Sequence, residues 1–364
     1  MAETGDGSQV ARVIFGLLKS SKVYSKPFLG IPTRMLFLFP SARTVTLLCL
    51  AACAVEPVPE PVQATTGACG VLRVVNVNTS TKLGNAIAAA LPGDSIVLAP
   101  VTYNGLWTLR RSGTECHQVF LTGPRDALLR GSSLSGGSAL TLADLKYWTI
   151  SGLSVTNSQV GITVRRSSRN TLKGVRVYGV GQAGIHVREN SKHNTVRGNA
   201  IDGTGKYRIR YGEGIYLGRD AAQWTNGQPD RTDSNLVYGN ILGPRVTADL
   251  IDVKAGTTGN IIRKNTGDGS GMVSDPSNPV WILANGNRLT VDSNRFVNAR
   301  THGIKVRSTD YTWAKGSVVR ANSMTVRTSG RAVSVETPNN SYTTVKCNNL
   351  RMDTGVLSNV RCVP

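Results

Sequence analysis

Two short stretches gather ionisable side chains at alternating positions. Asp252 and Lys254 lie in LIDVK (250–254), and Lys305 and Arg307 in GIKVR (303–307). In both, Ile and Val alternate with the charged residues, as in a strand with one buried face and one outward face. The same small–apolar–x–apolar pattern recurs as GITV (161–164), GIHV (184–187), GIYL (214–217) and AVSV (332–335). Outward positions can therefore be read strand by strand. They are Thr163 and Arg165, His186 and Arg188, Tyr216, Asp252 and Lys254, Leu283, Lys305 and Arg307, then Ser334 and Glu336. If the strands stack, charge collects on the middle of one sheet face, a setting for acid–base chemistry or for holding an anion. A plain cross-strand ion pair between Asp252 and Lys254 is the competing reading. Long connections at 219–234 and 308–317 follow two of these strands and would wall the face. They carry Trp224, Tyr311 and Trp313, flat rings able to stack on sugars.

The elements that must position these residues form a repeat. Segments such as NTVRGN (194–199), LTVDSN (289–294) and TTVKCN (343–348) close on Asn199, Asn240, Asn265, Asn294, Asn322 and Asn348. A period mostly in the twenties, with short Val/Ile/Thr strands and Gly/Asn turns, predicts a solenoid, since no single unit can bury its own apolar face. Two strands per coil and a turn asparagine predict an all-β, right-handed single-stranded parallel β-helix. Its core should hold Ile162, Val164, Ile185, Val187, Ile215, Leu217, Ile251, Val253, Ile304 and Val306. The closing asparagines are expected to bond to one another along the stack rather than to do chemistry.

The remaining sequence surrounds that domain. The net charge is +20, with 42 basic and 22 acidic residues, and only six of the basic and two of the acidic precede Cys53. The folded part is thus basic and suited to anionic partners. No nucleic-acid-binding motif is present, so a nucleic-acid partner is not expected. Residues 1–52 read as a leader with a secretion signal, MLFLFPSARTVTLLCLAAC from Met35, and residues 1–34 as the product of a start codon placed too early. Leu50-Ala51-Ala52-Cys53 has the form of a lipobox, which makes Cys53 the expected lipidation site and the membrane a partner through that anchor. Residues 53–68 form a Pro-rich tether, and 69–364 the domain. Residues 83–105 predict a short capping helix, a Pro-Gly-Asp turn and a strand that seal one end of the solenoid. Cys69, Cys116, Cys347 and Cys362 allow three disulfide pairings. Cys69–Cys116 and Cys347–Cys362 are favoured because each pair flanks one end. An exported monomer is expected.

Glu213-Gly-Ile-Tyr-Leu-Gly, followed by LIDVKAGTTGNII and Asn265, resembles right-handed β-helix proteins of the pectate lyase-like, polysaccharide lyase superfamily, from about Val71 to Cys362. The capping segment resembles theirs as well. The resemblance implies β-elimination on an acidic, uronic-acid-containing polysaccharide. Lys254 would be the base, its pKa depressed by Lys305 and Arg307 across one intervening strand, and Arg307 or Lys305 would meet the substrate carboxylate. His186, Arg188, Tyr216, Trp224, Tyr311 and Trp313 would contact sugar. Glu213, Asp249 and Asp252 would offer hard oxygen ligands to Ca2+. Where relatives carry charge, this chain has Ala255, Leu283 and Asn285, which favours the alternative of a non-catalytic, lipid-anchored glycan-binding or adhesion protein. A glycoside hydrolase on the same fold is the third reading, weakened by the lack of any Asp-Asp pair.

Overall fold

The computed structural model describes residues 69–273, 279–308, 312–326, 330–353 and 355–364. Its 31 strands form three wholly parallel sheets of eleven, ten and ten strands, and each strand pairs with its counterpart one coil away. The first sheet runs from Arg73–Val77 to Thr344–Val345, the second from Trp107–Leu109 to Val356–Ser358, and the third from Thr102–Asn104 to Leu350–Arg351. This is a right-handed parallel β-helix. The ten expected core residues are all fully buried. Ile162, Ile185, Ile215, Ile251, Ile282 and Ile304 stack in one row of the second sheet. Val164, Val187, Leu217, Val253, Ala284 and Val306 stack in the next. Each such Ile or Leu contributes about 1.5–3 kcal/mol of burial.

Each coil has three strands rather than the expected two. Ile241–Leu242, for example, begins directly after Asn240, because the chain bends at Gly239-Asn240 and resumes pairing at once. A two-residue strand so close to the turn reads in sequence as part of the turn.

The asparagine ladder forms as expected. Asn240 Nδ2 donates to Asn265 Oδ1 at 2.9 Å, and Asn265 repeats the bond to Asn294 at 2.9 Å. At its far end the rung is Asn349, which accepts from Asn322, and not Asn348, which lies exposed and accepts from the Ala321 amide. A second ladder joins Asn170, Asn194, Asn235 and Asn260.

The solenoid's first end is covered by the helix Ser80–Ala88, whose Thr79 hydroxyl accepts from the Lys82 amide at 3.2 Å. Leu83 and Ile87 face the core. The helix starts before Leu83 because Thr79 caps it, and it ends ahead of Pro92-Gly93. The disulfides are Cys69–Cys116 and Cys347–Cys362, one at each end. Disulfides of this kind fit an oxidising, extracytoplasmic location. Among the described residues no helix is long and apolar enough to cross a membrane. Cys53 and the rest of the leader and tether lie outside the described residues.

Candidate functional site on the second sheet

The outward row of the second sheet reads Thr163, His186, Tyr216, Asp252, Leu283, Lys305, Ser334, each directly beside the next. One outward position further along the strands, Arg165 pairs with Arg188 and Arg307 with Glu336. Lys254 follows Val253 in that same row. At the other edge, just before the strands begin, stand Glu213 and Asp249. The face is therefore polarised, with carboxylates at the N-terminal edge of the strands and mainly cations at the C-terminal edge.

Lys254 is the hub. Its Nζ lies 3.0 Å from Asp252 Oδ2 and 3.8 Å from Asp220 Oδ2, and it sits over the Tyr216 ring at 5.3 Å from the centroid. Gly218 makes room for this. A side chain there would begin 2.7 Å from the Thr257 methyl and 3.4 Å from Lys254 Cβ, and its φ of +86° turns the chain out into the 219–234 loop. Tyr216 stacks face to face on His186, with centroids 4.2 Å apart. His186 Nε2 donates to the Gly218 carbonyl at 2.8 Å, which leaves Nδ1 as the bare nitrogen.

The charge states follow from burial and pairing. Burial, reinforced by Arg188, lowers the His186 pKa to about 3, so the ring is neutral. Burial raises the Tyr216 phenol well above its usual value, so it keeps its proton at neutral pH. Burial, then the neighbouring Asp252, raises Glu213 to about 7. The same two causes lift Asp249 well above the usual carboxylate range. Asp252 is only 1 % exposed; burial pushes its carboxyl up and the Lys254 ammonium opposes the rise.

Several expectations need correction here. The pKa of Lys254 is raised, not depressed, because the attraction of Asp252 is the largest influence on it and outweighs the burial that opposes the charge. Asp252 is outward but not exposed. Lys305 is largely buried and pairs with Glu336 at 3.5 Å. Arg307 in the same strand is exposed. Trp313 is buried and packs edge-on to the half-buried Trp224, centroids 5.8 Å apart, tying the two loops together rather than offering a sugar platform. Tyr311 lies outside the described residues.

The Ca2+ cradle is not supported by the geometry. Asp249 Oδ1 accepts from the Val280 amide at 2.6 Å and Asp252 is held by Lys254. Among the described residues no three or more His, Cys, Asp or Glu side chains are placed to share a metal ion. Glu213, Asp249 and Asp252 thus form an electrostatic group behind Lys254 without converging on one point.

Three features escaped the sequence reading. Asp220, in a loop, reaches Lys254. Arg219 pairs at 3.7 Å with buried Asp230, which also accepts from the Glu189 and Asn190 amides at 2.8 Å and so pins that loop to the preceding coil. Lys206–Tyr211, directly ahead of Glu213, presents Tyr207, Ile209 and Tyr211 at more than half exposure. The alternation KYRIRY (206–211) is the signal that could have revealed it.

Comparison with known proteins agrees with this fold. The family described as "Periplasmic copper-binding protein (NosD)" matches residues 112–243. No curated protein sequence matches the chain. Among solved structures, an alginate lyase from Paenibacillus sp. str. FPU-7 is 27% identical with a TM-score of 0.75, over 80% of this chain and 99% of that one. The pectate lyase Pel9A is 16% identical with a TM-score of 0.60, over 80% and 79%. A lacto-N-biosidase of family GH136 from Eubacterium ramulus is 12% identical with a TM-score of 0.55, over 77% and 60%. The chain has the pectate lyase-like parallel β-helix fold, which polysaccharide lyases share.

Proposed function

We propose that the protein is an exported polysaccharide lyase that cleaves an acidic, uronic-acid-containing polysaccharide by β-elimination, with alginate as the first substrate to test. The observation that carries this reading is the Asp252–Lys254–Tyr216 constellation in the middle of the second sheet. Its support from outside is the likeness to an alginate lyase along nearly that protein's whole length.

In this mechanism Lys254 removes the proton on the carbon next to the uronate carboxylate. Its resting ammonium first passes a proton to Asp252, whose burial favours the neutral acid once substrate excludes water. The resulting carbanion is stabilised through the carboxylate, which the exposed Arg307, two strands from Lys254, neutralises. The electron pair forms the carbon–carbon double bond as the glycosidic oxygen leaves. Tyr216, still protonated, gives that oxygen its proton. The proton held on Asp252 then returns through Lys254 to the tyrosinate. No step is assigned to Ca2+.

The test is incubation with alginate, pectate and glycosaminoglycans, with and without Ca2+, watching ultraviolet absorbance for unsaturated products. Binding without products would replace the lyase with the glycan-binding reading. New reducing ends without absorbance would replace it with a hydrolase. Anchoring through lipidated Cys53 belongs to the same proposal; Cys53→Ser should move the protein from the membrane to the soluble fraction, and unchanged fractionation would remove the anchor.

A further inference from the structure

A second basic groove lies on the first sheet, away from the site above. Four neighbouring strands place Ser151, Lys173, Arg197 and Tyr238 in one outward row, spanning about 14 Å at the usual strand spacing. Beside that row, Gly174, Gly198 and Gly239 occupy successive turns. These residues line a groove of ≈ 430 Å³.

The glycines are informative because the backbone does not demand them. Their φ values of +60° to +63° are left-handed, yet Lys264, Ser293 and Ala321 take the equivalent position in later coils with φ of +51° to +55°. What glycine supplies at 174, 198 and 239 is clearance: a side chain there would meet nothing within 4 Å, so its absence leaves an open trough. The trough closes where side chains return, at Lys264, whose Nζ lies 5.8 Å from the Tyr238 ring centroid.

The charge of the row is also uneven. Further along it, Arg263 and Arg320 bracket Asp292 at 3.1 and 3.4 Å and are largely neutralised by it. Lys173 and Arg197 have no ion-pair partner among the described residues. Two uncompensated cations, an aromatic ring at 36% exposure and a side-chain-free trough parallel to the solenoid axis suit an extended chain of sugar rings bearing carboxylates.

We propose that this groove is a second binding site for an acidic polysaccharide, with the rings lying in the glycine trough against Tyr238 and their carboxylates on Lys173 and Arg197. It stands on the groove's own residues and does not require that the protein be a lyase.

The experiment measures binding of alginate to the protein carrying Lys254→Ala, so that no turnover intervenes. Adding Lys173→Ala, Arg197→Ala and Tyr238→Ala should weaken binding about tenfold and flatten its salt dependence, while Lys173→Arg with Arg197→Lys should retain it. Melting curves of each variant establish that it is folded; these side chains lie on the outer face, so folding should persist. An unchanged alginate affinity in the folded triple variant would overturn the proposal. So would an equal loss of binding to an uncharged glucan. Capture by phosphatidylglycerol vesicles that depends on the three residues, with alginate binding unaffected, would overturn it in favour of a lipid surface. Failure to find unsaturated products in the separate lyase assay would leave this result standing, which keeps the two readings apart.

Discussion

Replacing Asn265 with alanine tests whether the asparagine ladder holds the coils together. Asn265 Oδ1 accepts from both the backbone amide and the side-chain Nδ2 of Asn240, each at 2.9 Å. Its Nδ2 donates to the Val237 carbonyl at 3.0 Å and to Asn294 Oδ1 at 2.9 Å. Alanine removes all four bonds inside a site with no solvent access. Two groups keep other partners: Asn240 Nδ2 still reaches the Val196 carbonyl, and Asn294 Oδ1 still accepts from the residue 265 amide. The Asn240 amide loses its side-chain acceptor altogether. One orphaned buried amide costs about 1–3 kcal/mol and each weakened bond roughly 0.5–1 kcal/mol, so Asn265→Ala should destabilise by about 3–4 kcal/mol. Such a loss is a large share of the roughly 5–15 kcal/mol typical of a whole domain. Urea denaturation followed by circular dichroism measures it, with exposed Asn348→Ala as the control expected to lose under about 1 kcal/mol. Equal losses in the two variants would refute the ladder's structural role.

Other consequences concern charge and cross-links. Glu213 is raised from 4.5 to about 7, so its contribution favours the fold at low pH and is lost as pH climbs through 7. Glu213→Gln should therefore gain on the wild type by up to about 3 kcal/mol between pH 5 and 8, and a gap that does not change with pH would contradict its buried, protonated state. Asp252→Asn strands the Lys254 ammonium and should cost about 3 kcal/mol at pH 7, with most of it recovered in the double variant Asp252→Asn/Lys254→Met; no recovery would show that the pair is not the cause. Cys347→Ser opens a 15-residue loop and should cost about 3 kcal/mol, read as a lower urea midpoint; an unchanged midpoint would mean that this end is held by other contacts.

The rows of the second sheet were legible because alternation fixes which side of a strand a residue faces. Asp252, Leu283 and Lys305 lie side by side as their spacing implied. Alternation does not report what covers that face. Asp252 is outward yet buried, because Lys254, Tyr216 and the loop carrying Asp220 close over it. That burial places Lys254 under Asp252's control and reverses the expected direction of its pKa. The third sheet was hidden because most of its strands have only two or three residues, several of them directly after a turn asparagine, too little pattern to register as a strand. The second ladder through Asn170, Asn194, Asn235 and Asn260 was hidden because its rungs open their strands instead of closing them. Loop contacts such as Trp224 against Trp313 depend on backbone paths that periodicity does not encode.

The most direct test of the central claim compares alginate turnover by the wild type, Lys254→Ala and Tyr216→Phe, followed by ultraviolet absorbance of the unsaturated product. The mechanism predicts steady absorbance from the wild type and a loss of at least about 100-fold in each variant, with melting curves establishing that both are folded. Equal product formation by Lys254→Ala and the wild type would contradict it.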